Sequence, residues 1–251
     1  MRRDDLVAYL DSYLDAARDR DYGPNGLQVE GRAEVGRIVT GVSACEELFA
    51  QAKALAADAV LVHHGLFWDG APLVLKGIQY RRVRLLIEGG INLIAYHLPL
   101  DRHGELGNNI LAARAFGLEE IVPFAPHRGL EIGFRGRFPT AIPVAELARR
   151  CAAIYQQEPL VLGHGDRPIG SLGIVSGGAQ RELYAAIDAG CDAFITGEAS
   201  EWVTNVARET GVYYLAAGHY ATERLGIRAL GEHLAEKFGL AVSFLDVPNP
   251  V

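Results

Sequence analysis

Short apolar runs alternate along the chain with segments whose apolar positions recur at helical spacing. In residues 4–18, Leu6, Leu10, Tyr13 and Leu14 share one face, which predicts an amphipathic helix with Asp4 placed to cap it. Asp21-Tyr-Gly-Pro-Asn25-Gly26 carries strong turn signals and reads as a plain connection or as a loop lining a site. Residues 37–41 read as a strand, 44–57 as a helix, 58–63 as a buried strand, 78–89 as a helix, 90–97 as a strand and 107–116 as a helix ending at Gly117. Further on, 130–138 is strand-like, 144–156 helical, 159–163 strand-like and His164-Gly-Asp-Arg-Pro a turn. Strands alternating with helices predict βαβ units, an α/β fold and mostly parallel sheets.

The pattern then repeats. Ile38-Val-Thr-Gly41 returns as Ile174-Val-Ser-Gly177, and Glu47-Leu-Phe49 as Glu182-Leu-Tyr184. Asp58-Ala-Val-Leu-Val with Trp68 returns as Asp192-Ala-Phe-Ile-Thr with Trp202. His97 and Asp101 return at the same spacing as His219 and Glu223. The matches keep chain order, which predicts an internal duplication: two similar lobes, residues 1–125 and 126–251, intertwined in one two-lobed unit. The copies differ where the chemistry lies, because His63-His64 in the first stands opposite Gly197-Glu198 in the second.

The candidate chemistry follows the apolar runs. His63 and His64 end one such run, and His97 with Asp101 and His219 with Glu223 follow two others. Neighbours in extended chain point to opposite sides, so His63 and His64 suit two adjacent ions better than one; two ordinary loop histidines are the alternative. Imidazoles and carboxylates without thiolates suit Zn, Fe, Mn, Co or Ni. His97 reads either as a residue holding a ligand carboxylate or as a satisfied core histidine. Glu105 reads as a general base or, more simply, as an acid at a helix start. Ser176-Gly177-Gly178-Ala179 reads as a tight strand-to-helix turn and lacks the Lys of a phosphate-binding loop. His103, His127, His164 and His233 read as surface or loop residues. Neither a nucleophile elbow nor a Cys–His pairing is visible, which disfavours covalent catalysis.

Composition removes whole classes of function. The net charge of −7 and the lack of basic runs disfavour a nucleic-acid partner. The N-terminus is too polar for a signal peptide, and the apolar runs are too short to cross a bilayer. Three scattered cysteines, Cys45, Cys151 and Cys191, read as thiols in a reducing cytoplasm.

Taken in order, His63-His64-Gly65, His97-Leu-Pro-Leu-Asp101, Asn25-Gly-Leu-Gln-Val, Ser176-Gly-Gly-Ala, Thr196-Gly-Glu, Gly218-His219-Tyr-Ala-Thr-Glu223 and Phe244-Leu-Asp-Val-Pro-Asn-Pro resemble the Nif-three-like dinuclear metal proteins. That family also carries the label GTP cyclohydrolase type-two homologue, and the length here resembles its short bacterial members. The resemblance implies two similar intertwined α/β/α lobes and a toroidal homohexamer. It implies two divalent metal ions, with ligands at His63, His64, Asp101, His219 and Glu223. Asp101 or Glu223 would bridge, and the three histidines would be terminal ligands. Thr196-Gly-Glu198-Ala-Ser-Glu201-Trp202 departs from relatives that carry histidines after the acid, which puts specificity in question. The expected function is a metal-dependent hydrolase acting on a nucleotide-like or phosphoester small molecule. A non-catalytic metal-handling hexamer is the rival. Metal affinity is expected to fall as pH drops through roughly 6.5, where an unperturbed imidazole protonates.

Overall fold

The first helix, α1, spans Arg3–Tyr13 and buries Leu6 and Leu10. It is shorter than its apolar spacing suggests, because a 3-10 turn at Ala16–Arg18 takes over the last part. Asp4 does not cap it: the N-cap is Arg2, and Asp4 lies in the first turn, where its charge favours the helix dipole. The computed structural model describes residues 1–18, 20–72 and 74–251.

Next come β1 (Gly26–Val29), β2 (Arg37–Ser43), α2 (Glu46–Ala54), β3 (Ala59–His64), α3 (Gly77–Gly89), β4 (Asn92–Ala95) and α4 (Leu98–Arg102). The strands β2, β3 and β4 are buried almost throughout, with apolar residues at most positions, as expected of strands covered on both faces. They pair in parallel, while β1 lies antiparallel against β4. The chain goes on through α5 (Asn108–Ala115), β5 (Glu119–His127), β6 (Leu130–Ile142), α6 (Val144–Tyr155), β7 (Leu160–Leu162), β8 (Ile169–Ile174), α7 (Leu183–Asp188), β9 (Ala193–Thr196), α8 (Val203–Thr210), β10 (Tyr213–Ala216) and α9 (His219–Thr222). It closes with α10 (Arg224–Phe238) and β11 (Ala241–Phe244).

Two compact units result: Met1–Leu100 with Ile227–Pro248, and Asp101–Gly226 with Asn249–Val251. The first holds the sheet β1-β4-β3-β2-β11 and the second the sheet β5-β6-β8-β9-β10-β7. These limits differ from a cut between residues 125 and 126 for two reasons. The final strand β11 pairs with β2, so the C-terminal segment returns to the first sheet. The strand β5 pairs with β6, so the residues after Leu100 go with the second. In the first unit Val39, Val60, Val62 and Leu93 pack with Leu48, Phe49 and Leu86. In the second, Leu172, Ile174, Ile195 and Leu215 pack with Leu147, Cys151 and Phe116.

The duplication shows in topology and in detail. Three parallel strands in chain order, β2-β3-β4, recur as β8-β9-β10; an antiparallel strand, β1, flanks the first set on one side, and β6 and β7 flank the second on both. Asp58 accepts the backbone N–H of Gly36 and Arg37, both at 2.9 Å, and Asp192 accepts those of Gly170 and Ser171, also at 2.9 Å. Arg32 lies 3.2 Å from Asp58, and Arg167 lies 3.3 Å from Asp192. Each carboxylate thus ties the start of one parallel strand to the start of the next. Among the described residues, no helix is long and apolar enough to cross a membrane.

Candidate metal centre

In the first unit the donors gather at the carboxyl ends of β3 and β4, where open α/β sheets place their ligands. His63 is fully buried, and His64 and His97 are half-buried. The His63 and His64 rings do not diverge as extended neighbours should. Their centroids are 4.7 Å apart at an interplanar angle of 47°, at the last two positions of β3. His97 joins them, at 5.0 Å from His63 and 5.5 Å from His64. The candidate ligand atoms of the three lie within 4.8 Å of one another.

The turn at 21–25 and β1 hold the chain turns after both β3 and β4, so the segment lines the site and is more than a connection. Asn25 Oδ1 accepts the His97 N–H at 2.8 Å, and Gln28 Oε1 accepts the Leu66 N–H at 2.8 Å. A Cβ at position 65 would collide with the Gln28 amide, which explains the glycine after the histidine pair. Asp21 accepts from His97 Nδ1 at 2.7 Å and from the Leu98 N–H at 2.9 Å. Burial pushes the Asp21 carboxyl up, but His97, Asn25 and the Tyr22 N–H outweigh it and hold it at about 2. His63 Nδ1 donates to the Tyr96 carbonyl at 3.1 Å, and His64 Nδ1 lies 3.1 Å from Ser43 Oγ.

In the second unit α9 starts at His219, with Glu223 capping its C-terminal end. His219 Nδ1 is 2.6 Å from Glu198, and Nε2 is 3.3 Å from Glu223, which is 2% exposed. Burial pulls the imidazole pKa down, but Glu223 first and Glu198 second outweigh it and raise it to about 9. Asp101 Oδ1 accepts from Asn108 Nδ2 and Ser176 Oγ, each at 2.9 Å. Gly177, at φ 69°, lies so close to the pair that a Cβ there would collide with Glu223 Oε1. The Ser-Gly-Gly turn is therefore part of the site's wall.

This donor set fits a metal. Each of the four imidazoles has an oxygen against Nδ1, the partnership that fixes ring orientation in metal-binding histidines. Where that oxygen is a carbonyl or a carboxylate it can only accept, so the lone pair of the neutral ring resides on Nε2. Glu198, Asp21, Ser43 and Ser176 were not singled out from the sequence as supports of the site. The signals available for Glu198 were its place opposite His64 in the repeat and its place in the Thr196-Gly-Glu motif. Glu105 lies in an exposed turn before α5, where its carbonyl accepts from Arg114 at 2.7 Å. His233 is no plain surface residue: it stacks on Tyr13 at 4.5 Å and bonds to the Tyr9 hydroxyl at 2.5 Å.

The family profile described as Duf34/NIF3 (NGG1p interacting factor 3) matches residues 1–250. The chain belongs to this family. It is 46% identical over 245 residues to a Pseudomonas aeruginosa protein named GTP cyclohydrolase 1 type 2 homolog, covering 98% of this chain and 97% of that protein. A Vibrio cholerae protein of the same name is 45% identical, with 98% of each chain covered. Among solved structures, protein ybgI, described as of unknown function, superposes with a TM-score of 0.95 at 42% identity over the whole of both chains. The Thermus thermophilus protein TTHA1606 gives 0.89 at 40% identity, also over both whole chains. This member of the Duf34/NIF3 family thus carries His, Asp and Glu groups able to hold a metal.

Proposed function

We propose that the protein is a metal-dependent hydrolase for a nucleotide-like or phosphoester small molecule, with His63, His64, Asp101, His219 and Glu223 as ligands of two divalent ions. The observation that supports it is the donor set: imidazoles and carboxylates, each imidazole braced at Nδ1, at the ends of parallel strands. Such donors suit Zn, Fe, Mn, Co or Ni. Two ions so bound supply a water of lowered pKa at neutral pH. The chain's own residues hold the rest in place. Asn108 and Ser176 fix Asp101, Glu198 fixes His219, and Asp21 fixes His97. Cyclohydrolase in the relatives' name makes GTP the first compound to try.

The test is a metal analysis of the purified protein followed by a screen of nucleotides and phosphoesters. Loss of both metal and turnover in His64→Ala and Glu223→Ala is the expected outcome. Variants that lose metal and keep turnover would sink the hydrolase reading. Metal that exchanges readily to a partner, with no turnover of any compound, would favour metal handling instead.

The assembly we read is a homohexamer, which rests on the family resemblance. Large apolar side chains at Val74, Leu75, Ile78, Tyr80 and Ile87, on and before α3, are exposed, which is compatible with subunit contacts there. The compartment we read is a reducing cytoplasm. Its support is three free thiols, of which burial pushes Cys151 up to about 12 and Cys191 to about 11.

A further inference from the structure

We propose that the first unit binds a small zwitterion in a cleft between α10 and β11: an α-amino acid whose apolar side chain ends in a hydroxyl, as tyrosine does. The cleft has a volume of about 410 Å³, within the range of small-molecule sites. None of the candidate metal ligands lines it, so the proposal stands apart from the metal centre and from hydrolysis.

Three features of the cleft select this ligand. The first is a buried hydroxyl. Thr40, on β2, is fully buried and lines the cleft, and its Oγ1 has no hydrogen-bond partner among the described residues. Such a group has lost its water and gained nothing, so a ligand atom that reaches it restores a hydrogen bond. Gly231 brings α10 down onto this spot: a Cβ there would stand 2.9 Å from Thr40 Cγ2 and 3.3 Å from Oγ1. The second is an apolar wall. Val242 and Phe244 alternate with exposed Ala241 and Ser243 along β11, and Phe244 is the register partner of Thr40, so their side chains share its face of the sheet. Ala235 adds to this wall from α10. The third is a charge pair at the mouth. Arg228 Nε meets Glu232 Oε1 at 3.1 Å, one turn apart on α10, and the two side chains are 64% and 66% exposed. The terminal nitrogens of Arg228 and Oε2 of Glu232 have no partner among the described residues, which leaves them to a carboxylate and an ammonium. Arg228 and Glu232 lie within one helical turn of Gly231, about 5.4 Å, so a charged head and a hydroxyl tip on one amino acid reach both ends of the cleft. A net-neutral zwitterion also meets no repulsion from a chain of net charge −7.

Calorimetric titration of the full-length chain with L-tyrosine, L-phenylalanine and tyramine tests this. L-tyrosine should bind. L-phenylalanine, which leaves Thr40 unpaired, and tyramine, which lacks the carboxylate, should each bind at least about tenfold more weakly. Thr40→Val keeps the side chain's shape and should abolish the preference for tyrosine over phenylalanine. Arg228→Gln should weaken both amino acids alike. Thr40→Val should also melt no lower than the wild type, since it removes a polar group that makes no bond. No binding of L-tyrosine at millimolar concentration, or equal binding of L-phenylalanine, would overturn the proposal. Binding that survives both substitutions would overturn it too, because the amino acid would then sit elsewhere, for instance on a metal ion. So would a Thr40→Val chain that unfolds or melts well below the wild type, because the hydroxyl would then be holding the fold. None of these readouts is turnover or metal content, so this site and the hydrolase reading fail by different results.

Discussion

His219 shows how a carboxylate environment changes what a histidine does. Left alone it would lose its proton near 6.5, the value behind the expected pH dependence. Between Glu223 and Glu198 it holds that proton up to about 9. In the metal-free protein the raised pKa adds stability that is fully present below the unfolded value and is lost as pH rises through about 9. Denaturant melts of metal-free wild type and His219→Gln across that window should converge as pH rises. A metal ion must displace the same proton, so affinity should climb about tenfold per pH unit from neutrality toward about 9 and then level off. Chelator competition at two pH values reads this slope, and a flat profile would refute it. Asp21 works in the opposite sense: held at about 2, it adds stability that is present above its unfolded value and lost as pH falls through about 2. Removing the Glu198 brace should loosen metal without removing a ligand: Glu198→Gln should cost about 10- to 100-fold in metal affinity. Unchanged affinity would mean that the Nδ1 contact does not position the ring.

At the scale of elements, the paired aspartates tie strand to strand. Asp58 and Asp192 each accept two backbone N–H groups at the start of a parallel strand. Hydrogen bonds to a charged group are worth about 1.5–3 kcal/mol each, so Asp58→Ala and Asp192→Ala, which each remove two, should destabilise by at least about that much. Urea melts should show similar losses for the two, since the motif is the same; a loss in one alone would break the structural equivalence of the repeat. Gly177 belongs to this scale as well, because its φ of 69° and the crowding by Glu223 allow no side chain. Gly177→Ala should therefore reduce metal content, measured by elemental analysis, more than it lowers the melting temperature.

Much of the element pattern was legible because the buried strands carry short apolar runs, as at 59–62, and the helices carry stripes. Three strands were not. In β1 the turn signals Pro24-Asn25-Gly26 hide a strand that begins at Gly26 itself. In β5 the mostly exposed residues and two prolines, Pro123 and Pro126, give no apolar period. In β11 only four residues are involved, and pairing with β2 depends on the whole chain coming back. The candidate donors were legible by residue type, since His63, His64, His97, Asp101, His219 and Glu223 lie at or after recognisable strand ends. Its bracing was not. His97 meets Asp21 and His219 meets Glu198 only once the sheets have formed, and no local spacing announces either contact.

For the whole molecule, metal binding and stability are linked. A ligand bound only by the folded state adds about 2.7 kcal/mol at a hundredfold excess over its dissociation constant. Light scattering at micromolar concentration in metal-containing buffer should give a hexamer, and a monomer there would contradict the proposed assembly. The most direct test of the proposed centre is a set of thermal melts of wild type and His219→Ala, each with and without chelator. If donors of both units serve the metal, chelation lowers the wild-type melting temperature and produces a smaller shift in His219→Ala. A shift as large in the variant as in the wild type would show that His219 contributes nothing to metal binding, and the account of a centre fed by both units would fail.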